Sequence, residues 1–121
     1  MIYQFFDSYP FVYLYQHRLT TKKIPAQTIC GRRFSDLSVS KTLNYPVQAS
    51  AAEGFLMALN AVIENKDSNY KLVMAIHDSI SLEVPETERE TAAKFLKQTA
   101  ETVMGEFLSP VPVFAEIKTG I

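Results

Sequence analysis

The chain has 121 residues, the size of one ordinary domain, and its 47% hydrophobic and 21% charged residues exclude a disordered tail and a collagen-like repeat. The net charge of −1 is unevenly spread, because residues 1–48 carry +4 and residues 49–121 carry −5. A basic first half rich in Tyr and Phe is compatible with contact to a phosphate backbone, and a solvated basic surface explains the same pattern.

Aromatic residues are concentrated at the start of the chain. Seven of the 14 lie in the first 15 residues: Tyr3, Phe5, Phe6, Tyr9, Phe11, Tyr13 and Tyr15. The segment is too interrupted for a membrane span, which needs about 20 consecutive apolar residues, and it has no signal-peptide features. The spacing predicts a helix over residues 3–19 that breaks before Pro10, because a residue preceding proline disfavours the helical conformation.

The middle of the chain predicts a hairpin followed by helices. An extended stretch, residues 26–30, is followed by Gly31 as a turn into residues 32–34. Residues 37–45 are predicted to be helical and to end at Pro46. From Val47 the period is helical, with a predicted buried stripe of Val47, Ala51, Phe55, Ala58, Leu59 and Val62. The single cysteine, Cys30, cannot form an intrachain disulfide, so a reduced, cytoplasmic setting is expected.

A second hairpin is predicted further along, from two apolar segments rich in β-branched residues. Residues 70–76 and 79–84 are the strands, and His77 and Asp78 form the loop between them. In this hairpin Ala75 is expected to face Ile80, and Val73 to face Leu82.

The last third of the chain predicts a helix and then a strand. Thr87 and Glu90 have the spacing of a capping box at the helix start. The residues this helix is expected to bury are Ala92, Phe95, Leu96, Val103 and Phe107. Residues 111–117 are the predicted last strand. The order of elements predicts an α+β fold, with helices packed on one face of an antiparallel sheet and an aromatic-rich helical segment before it.

The dipeptide His77-Asp78 is the most informative position, because a turn without glycine between two apolar strands is more frequent at functional sites. A carboxylate at the end of a rigid sheet suits Mg²⁺, a cation that prefers oxygen ligands. Aspartate is also an ordinary turn residue for conformational reasons alone. Two-metal phosphoryl transfer needs further carboxylates, and no second aspartate of the chain is predicted at a comparable strand end.

Several segments resemble, in the same order, the motifs of family A DNA polymerases, the bacterial polymerase I group. Residues 6–15 resemble F-x-x-Y-P-x-V-x-x-Y, and residues 28–33 resemble T-x-x-G-R-R. Residues 44–53 resemble N-x-P-x-Q-G-[ST]-A-A-D. Residues 76–85 resemble motif C, V-H-D-E, with the strand after it, and residues 112–120 resemble the closing strand. Each motif is weak alone, but together and in register they are specific.

The resemblance implies roles for the matching residues. Asp78 corresponds to the motif C aspartate that ligates the two catalytic Mg²⁺ ions in the palm, and His77 to a residue against the primer 3′ end. Asn44 and Gln48 correspond to residues that contact the primer-template, a role that suits an amide because it donates and accepts hydrogen bonds. Without the resemblance, Asn44 is explained as a helix end, Gln48 as a solvated residue and His77 as a turn filler.

Two further arginines and three departures complete the comparison with the motifs. Arg32 and Arg33 are expected to face nucleic-acid phosphate. Ser79 stands where the family has Glu, so any metal or water contact of that glutamate is lost. Ala49 replaces a glycine, and Ser40 stands where an arginine is common, which removes one expected DNA contact.

The implied function is that of a DNA-directed DNA polymerase segment. Residues 1–46 are expected to be the C-terminal part of a fingers-like region, and residues 47–121 the C-terminal part of the palm. The helix that binds the incoming dNTP and the motif A strand with the other metal-binding aspartate have no counterpart in these motifs. The chain alone is therefore expected to be inactive and to need an N-terminal complement, as a split, phage-like subunit or a truncated form.

Two other interpretations remain at this point. A non-catalytic remnant would bind nucleic acid through the basic half or self-associate, and a small α+β protein could have an unrelated function. In the family interpretation the aromatic segment, residues 3–15, is expected to expose an apolar patch and to make the chain form a homo-oligomer.

Overall fold

The computed structural model describes residue 4 and residues 7–120. Its elements are α1 (Pro10–Thr20), α2 (Val39–Asn65), β1 (Lys71–Ile76), β2 (Ser79–Glu83), a 3₁₀ turn (Glu86–Glu88) and α3 (Arg89–Phe107). These helices and a two-stranded antiparallel sheet confirm the α+β class. The chain divides into two compact units, Met1–Ser50 and Ala51–Ile121.

Helix α1 begins where the sequence predicts a break. Tyr9, just before Pro10, has the non-helical angles φ −129° and ψ 67°. Proline is tolerated at the first helical position, where its missing N–H would have no helical partner. The described aromatic residues of the segment are exposed, from 38% for Tyr15 to 84% for Phe11. Tyr3, Phe5 and Phe6, which belong to the predicted helix, lie outside the described residues.

The predicted hairpin around Gly31 is present in a minimal form. Gln27 and Arg33 form one isolated antiparallel bridge. The N–H of Gly31 donates to the carbonyl of Thr28 at 2.9 Å, and the N–H of Phe34 to the carbonyl of Ala26 at 2.8 Å. The segment is thus a tight turn with a short bridge and not a pair of strands.

The predicted helix end at Pro46 is wrong, because α2 runs through Pro46 as one helix of 27 residues. Proline leaves the Thr42 carbonyl without its helical N–H donor. Both Pro46 and Ser50 are buried, and the Ser50 hydroxyl donates to the Pro46 carbonyl at 2.6 Å. Packing of this turn therefore outweighs the local preference of proline.

The buried face of α2 also differs from the predicted stripe. Val47 is 63% exposed and Ala51 is exposed, whereas Ala58 and Val62 are fully buried. The buried positions recur at every fourth residue: Thr42, Pro46, Ser50, Gly54, Ala58 and Val62. Most of these side chains are small or polar, which is why a search for large apolar residues selects a different face. A Cβ on Gly54 would lie 3.0 Å from a ring carbon of Phe107, so glycine permits that close contact.

The second hairpin forms with the predicted two-residue loop, closed by the pair Ile76–Ser79. The pair Ala75–Ile80 confirms the predicted register next to the turn. The predicted pair Val73–Leu82 is wrong, because Leu82 pairs with Leu72. Val73 is the extra residue of a β-bulge between Leu72 and Met74. All of β1 is exposed, so the expected covering by helices is absent from this strand among the described residues.

Tyr70 belongs to the core of the second unit: it is 4% exposed, and its ring lies 6.3 Å from that of Phe95. Ala58, Val62 and Ala92 are the other buried apolar residues there. Burial raises the pKa of the Tyr70 phenol above its ordinary value, and the hydrogen bond and negative charge of Glu88 raise it further. A raised pKa favours the protonated phenol in the folded state, so its stabilisation is complete at neutral pH and is lost as pH rises through that pKa.

Two predictions near the C-terminus are wrong. Thr87 lies in the 3₁₀ turn and Glu88 is the residue before α3, which has no side-chain cap, so the Thr87–Glu90 capping box does not form. Residues 111–117 form no strand among the described residues. The Ala115 N–H of this segment donates a hydrogen bond to the Glu101 carboxylate of α3 at 2.8 Å. Of the predicted buried side chains of α3, Ala92 is buried and the others are half-buried.

Candidate functional site

The β1–β2 hairpin presents His77 and Asp78 at its tip. The pair Ile76–Ser79 closes the two-residue turn. His77 has φ 54°, a left-handed conformation that is unfavourable for a residue with a Cβ. Both side chains are exposed. The hairpin therefore holds an imidazole and a carboxylate in solvent on a turn with one strained residue.

Asp78 offers a carboxylate with no hydrogen bond or ion pair among the described residues. Its oxygens are the ligand type that Mg²⁺ prefers. Across the same part of the chain, no three His, Cys, Asp or Glu side chains form a group that could hold a metal ion. The described residues thus fit a Mg²⁺ site only as the donors of a single carboxylate, and they do not form such a site by themselves.

The Ser79 side chain braces this turn by a hydrogen bond. Its hydroxyl donates a hydrogen bond to the Ile76 carbonyl at 2.9 Å, across the two loop residues. The oxygen is therefore held toward the backbone, and the side chain brings no charge beside Asp78. A glutamate at this position would place a second carboxylate there, so the departure changes both the charge and the bracing of the turn.

The basic turn, defined as residues 28–33, lies in the first unit and carries Arg32 and Arg33. Thr28 is 3% exposed, and its hydroxyl accepts a hydrogen bond from the Arg32 N–H at 3.1 Å. The Ile29 N–H donates to the Ser50 hydroxyl of α2 at 3.0 Å. Both arginine residues are exposed. Two buried hydroxyl groups thus fix the backbone that presents two exposed cations.

Asn44 and Gln48 lie on the exposed surface of α2. They are four residues apart in one helix, so their side chains share a face. The Ser50 contact joins this helix to the basic turn within the same unit. The structure therefore brings Arg32, Arg33 and the Asn44–Gln48 helix into one unit, while His77 and Asp78 lie in the other.

A stack of rings and cations that the sequence analysis missed links the same two elements. The Arg32 Cζ atom lies 5.5 Å from the Phe34 ring centroid. Phe34 meets Tyr45 edge to face, with 6.1 Å between ring centroids and an interplanar angle of 71°. The Lys41 Nζ atom lies 5.8 Å from the Tyr45 ring centroid. We call Arg32, Phe34, Tyr45 and Lys41 the cation–aromatic stack.

A signal that relates Lys41, one member of this stack, to Asn44 and Gln48 exists in the sequence. Lys41, Asn44 and Gln48 are spaced three and four residues apart, so in a helix they lie on one face. The predicted helix end at Pro46 separated Gln48 from the other two and hid this pattern. The Phe34–Tyr45 and Ile29–Ser50 contacts had no such signal, because each joins two separate segments of the chain.

Comparison with known proteins identifies relatives across the chain. The family model described as DNA polymerase family A matches residues 1–121. DNA polymerase I of Aquifex aeolicus is 30% identical over 97 residues, which are 78% of this chain and 17% of that protein. DNA polymerase I of Lactococcus lactis is 33% identical over 109 residues, 85% of this chain and 12% of that protein. The chain thus spans less than a fifth of the length of these relatives.

A third relative has a similar extent. DNA polymerase I of Chloroflexus aurantiacus is 29% identical over 105 residues, 75% of this chain and 11% of that protein.

Within residue 4 and residues 7–120, no helix has the length and apolarity needed to cross a membrane.

Proposed function

Since the chain belongs to DNA polymerase family A, we propose that it supplies part of the palm and adjoining fingers of a DNA-directed DNA polymerase. The observation that carries this proposal is the exposed Asp78 carboxylate, unpaired among the described residues, at the tip of a two-stranded hairpin whose sequence resembles motif C. Residues 1–46 would belong to the fingers-like region and residues 47–121 to a palm-type sheet. The partners would be a DNA primer-template, dNTP and an N-terminal polymerase complement.

The roles of the residues follow from their chemistry. Asp78 would contribute one carboxylate to a Mg²⁺ site completed by residues outside this chain. Family A polymerases generally use Mg²⁺, which neutralises charge on the transferring phosphoryl group. His77 would lie against the primer 3′ end, and its exposed imidazole can donate or accept a hydrogen bond there. The antiparallel pairing of β1 and β2 holds His77 and Asp78 together at the tip of the hairpin.

The first unit would hold the primer-template. Asn44 and Gln48 present amides that can donate to and accept from sugars and minor-groove base edges. Arg32 and Arg33 would contact phosphates, since positively charged side chains supply the sequence-independent part of DNA affinity. The hydroxyl contacts of Thr28 and Ser50 hold these two surfaces in one unit.

Primer extension tests the catalytic proposal. The chain would be assayed with Mg²⁺, dNTPs and a primed template, alone and together with an N-terminal segment of a family A polymerase. We expect extension only in the mixture. Asp78→Asn should lower the rate at least about 100-fold, because a metal centre contributes several kcal/mol to such a reaction.

Asp67→Asn is the matched control for this substitution. Asp67 is exposed and accepts a hydrogen bond from the Asn69 N–H, a contact that asparagine can retain. Its variant should therefore extend the primer like the unmodified chain. Absence of extension in the mixture, or full activity of Asp78→Asn, would contradict the catalytic proposal.

The second candidate is a non-catalytic module that binds nucleic acid or self-associates. It is favoured by the lone carboxylate at Asp78 together with the exposed basic turn. In this case the chain would bind DNA in a salt-dependent way, Arg32→Ala and Arg33→Ala would weaken binding, and Asp78→Asn would leave it unchanged. Failure of primer extension combined with this pattern would favour the module over the polymerase part.

The aromatic segment suggests how copies of the chain would associate. The described aromatic side chains Tyr9, Phe11, Tyr13 and Tyr15 are exposed. We infer that residues 3–15 form a homo-oligomer contact when no N-terminal complement covers them. Sedimentation of Phe11→Ser beside the unmodified chain tests this, because loss of an 84% exposed ring should shift any dimer to monomer. A monomeric unmodified chain at high concentration would overturn it.

A further inference from the structure

Lys41 stands on the helix face that carries the two proposed primer-template amides. It precedes Asn44 by three residues and Gln48 by seven within α2, and all three side chains are exposed. Residues at these spacings lie above one another on a helix. Lys41 forms no ion pair with a carboxylate in the part of the chain that the structure describes. Its charge is therefore available to an external anion.

The cation–aromatic stack fixes the position of this charge. The Lys41 ammonium lies 5.8 Å from the Tyr45 ring centroid, and Tyr45 packs edge to face on Phe34. The Arg32 guanidinium lies 5.5 Å from the Phe34 ring centroid at the other end. A cation near the face of an aromatic ring is held by the ring quadrupole. The two rings thus place one cation from the helix and one from the basic turn on a shared support.

The local charge balance favours a negatively charged partner. Residues 26–50 contain Arg32, Arg33 and Lys41 but one carboxylate, Asp36, so their net charge is +2. Cations gathered on one surface repel one another, and a bound polyanion relieves that repulsion. Exposed amides beside the lysine add donors and acceptors that sugars and base edges of nucleic acid can use.

We propose that Lys41 binds a backbone phosphate of nucleic acid, beside Asn44 and Gln48, with Tyr45 as its positioning residue. The proposal rests on the proposed function, because the amide face is taken as the primer-template surface. It adds a phosphate contact from α2 to the contacts of the basic turn. The hydrogen bond between Ile29 and Ser50 keeps the two sources of positive charge in one unit.

Salt-dependent binding of a fluorescent primer-template duplex tests this contact. Anisotropy titrations of the 121-residue chain over a range of salt give the slope of log K against log salt. Lys41→Ala should make the slope less steep by about 0.9 and weaken binding about tenfold at about 50 mM salt, because one phosphate contact is lost. Lys41→Arg should retain both values, since a guanidinium also binds phosphate.

Two further pairs of variants separate the contact from general effects. Lys94→Ala removes an exposed lysine from α3 and should leave the slope unchanged. Tyr45→Leu should weaken duplex binding several-fold, whereas Tyr45→Phe keeps the ring and should bind the duplex like the unmodified chain. Thermal unfolding of each variant, with a melting temperature like that of the unmodified chain, shows that the binding change is not a loss of fold.

The outcomes distinguish this inference from the proposed function. If Lys41→Ala keeps the slope while Arg33→Ala reduces it, the Lys41 contact is wrong and the primer-template surface stands. If the unmodified chain binds no duplex even at low salt, the nucleic-acid function itself fails. If polyglutamate competes as effectively as unlabelled duplex at equal charge, the site accepts acidic polymers in general and the inference is overturned.

Discussion

Two tight turns of this protein, the basic turn and the β1–β2 turn, both need a residue at positive φ and use different residue types there. Each contains one residue at positive φ, Gly31 at 85° in the basic turn and His77 at 54° in the β1–β2 hairpin. Glycine adopts this conformation freely, whereas a residue with a Cβ costs about 1–2 kcal/mol there. The basic turn therefore has the residue that suits its backbone, and the hairpin turn keeps a strained histidine beside the proposed catalytic aspartate.

The surroundings of the two turns differ in the same sense. Thr28 and Ser50, which are 3% and 7% exposed, brace the basic turn with buried hydroxyl contacts. The hairpin turn is exposed and has the single hydroxyl contact of Ser79 to Ile76. Backbone strain is more frequent at functional sites than elsewhere, which agrees with the role proposed for His77. Substitutions at these positions can break or sharpen this contrast.

The largest effect is expected for Ser50→Ala. The Ser50 hydroxyl accepts from the Ile29 N–H and donates to the Pro46 carbonyl, and its removal deprives the part-buried Ile29 N–H and the buried Pro46 carbonyl of this partner. The free energy of unfolding should fall by about 2 kcal/mol. Urea denaturation measures this, with exposed Ser68→Ala as the control. A loss no greater than that of the control would show that the brace of the basic turn contributes little.

Gly31→Ala is expected to rank next. A Cβ at Gly31 would meet no atom within 4 Å, so the cost is purely conformational. We expect the free energy of unfolding to fall by about 1 kcal/mol because φ stays positive. The same urea experiment measures it, and Gly105→Ala, at a helical glycine with equally open space, is the control and should stabilise. Unchanged stability of Gly31→Ala would contradict a requirement for glycine.

Ser79→Ala should have a smaller effect. It removes the exposed hydrogen bond from the hydroxyl to the Ile76 carbonyl. The free energy of unfolding should fall by about 0.5 kcal/mol, the low end for a hydrogen bond, because water replaces the exposed contact. The melting temperature should fall accordingly. Ser79→Thr keeps a hydroxyl and should restore most of the stability. Equal melting temperatures for the alanine and threonine variants would show that the hydroxyl does not brace the turn.

His77→Gly should give the smallest change, and its sign is opposite. Release of the positive-φ strain outweighs the greater freedom of glycine in the unfolded chain by about 0.5 kcal/mol. The melting temperature should therefore rise slightly, while His77→Ala, which keeps the strain, should not change it. In the complemented polymerase His77→Gly should slow primer extension. A variant that is both more stable and fully active would remove the reason for keeping histidine here.

Sequence alone predicts the elements whose evidence is local. The break before Pro10, the two strands with their His77-Asp78 loop and the last helix all follow from residues close together in the chain. The motifs that mark the family are also short, and the family match over residues 1–121 agrees with them. Asp78 could be selected for the same reason, since strand, turn and carboxylate are consecutive.

Features that depend on distant residues were predicted incorrectly or missed. Helix α2 continues through Pro46, a residue type that normally ends a helix, and Pro46 is buried, which depends on the surrounding fold. The bulge at Val73 shifts the strand pairing by one residue in the part of the hairpin farther from the turn, where Leu72 pairs with Leu82. Alternation of apolar residues cannot reveal this shift. The link between Ile29 and Ser50 spans 21 residues, so no local pattern contains it.

The sequence by itself determined the α+β class, the family and the position of the candidate aspartate, because these depend on local propensity and on short motifs. Only the tertiary structure decided that α2 is continuous, that its buried face is made of small residues, and that Lys41, Tyr45, Phe34 and Arg32 form one stack. The physical reason is that burial of α2 and the Phe34–Tyr45 contact depend on residues outside the local segment. Their free energies decide between conformations that local propensity leaves nearly equal.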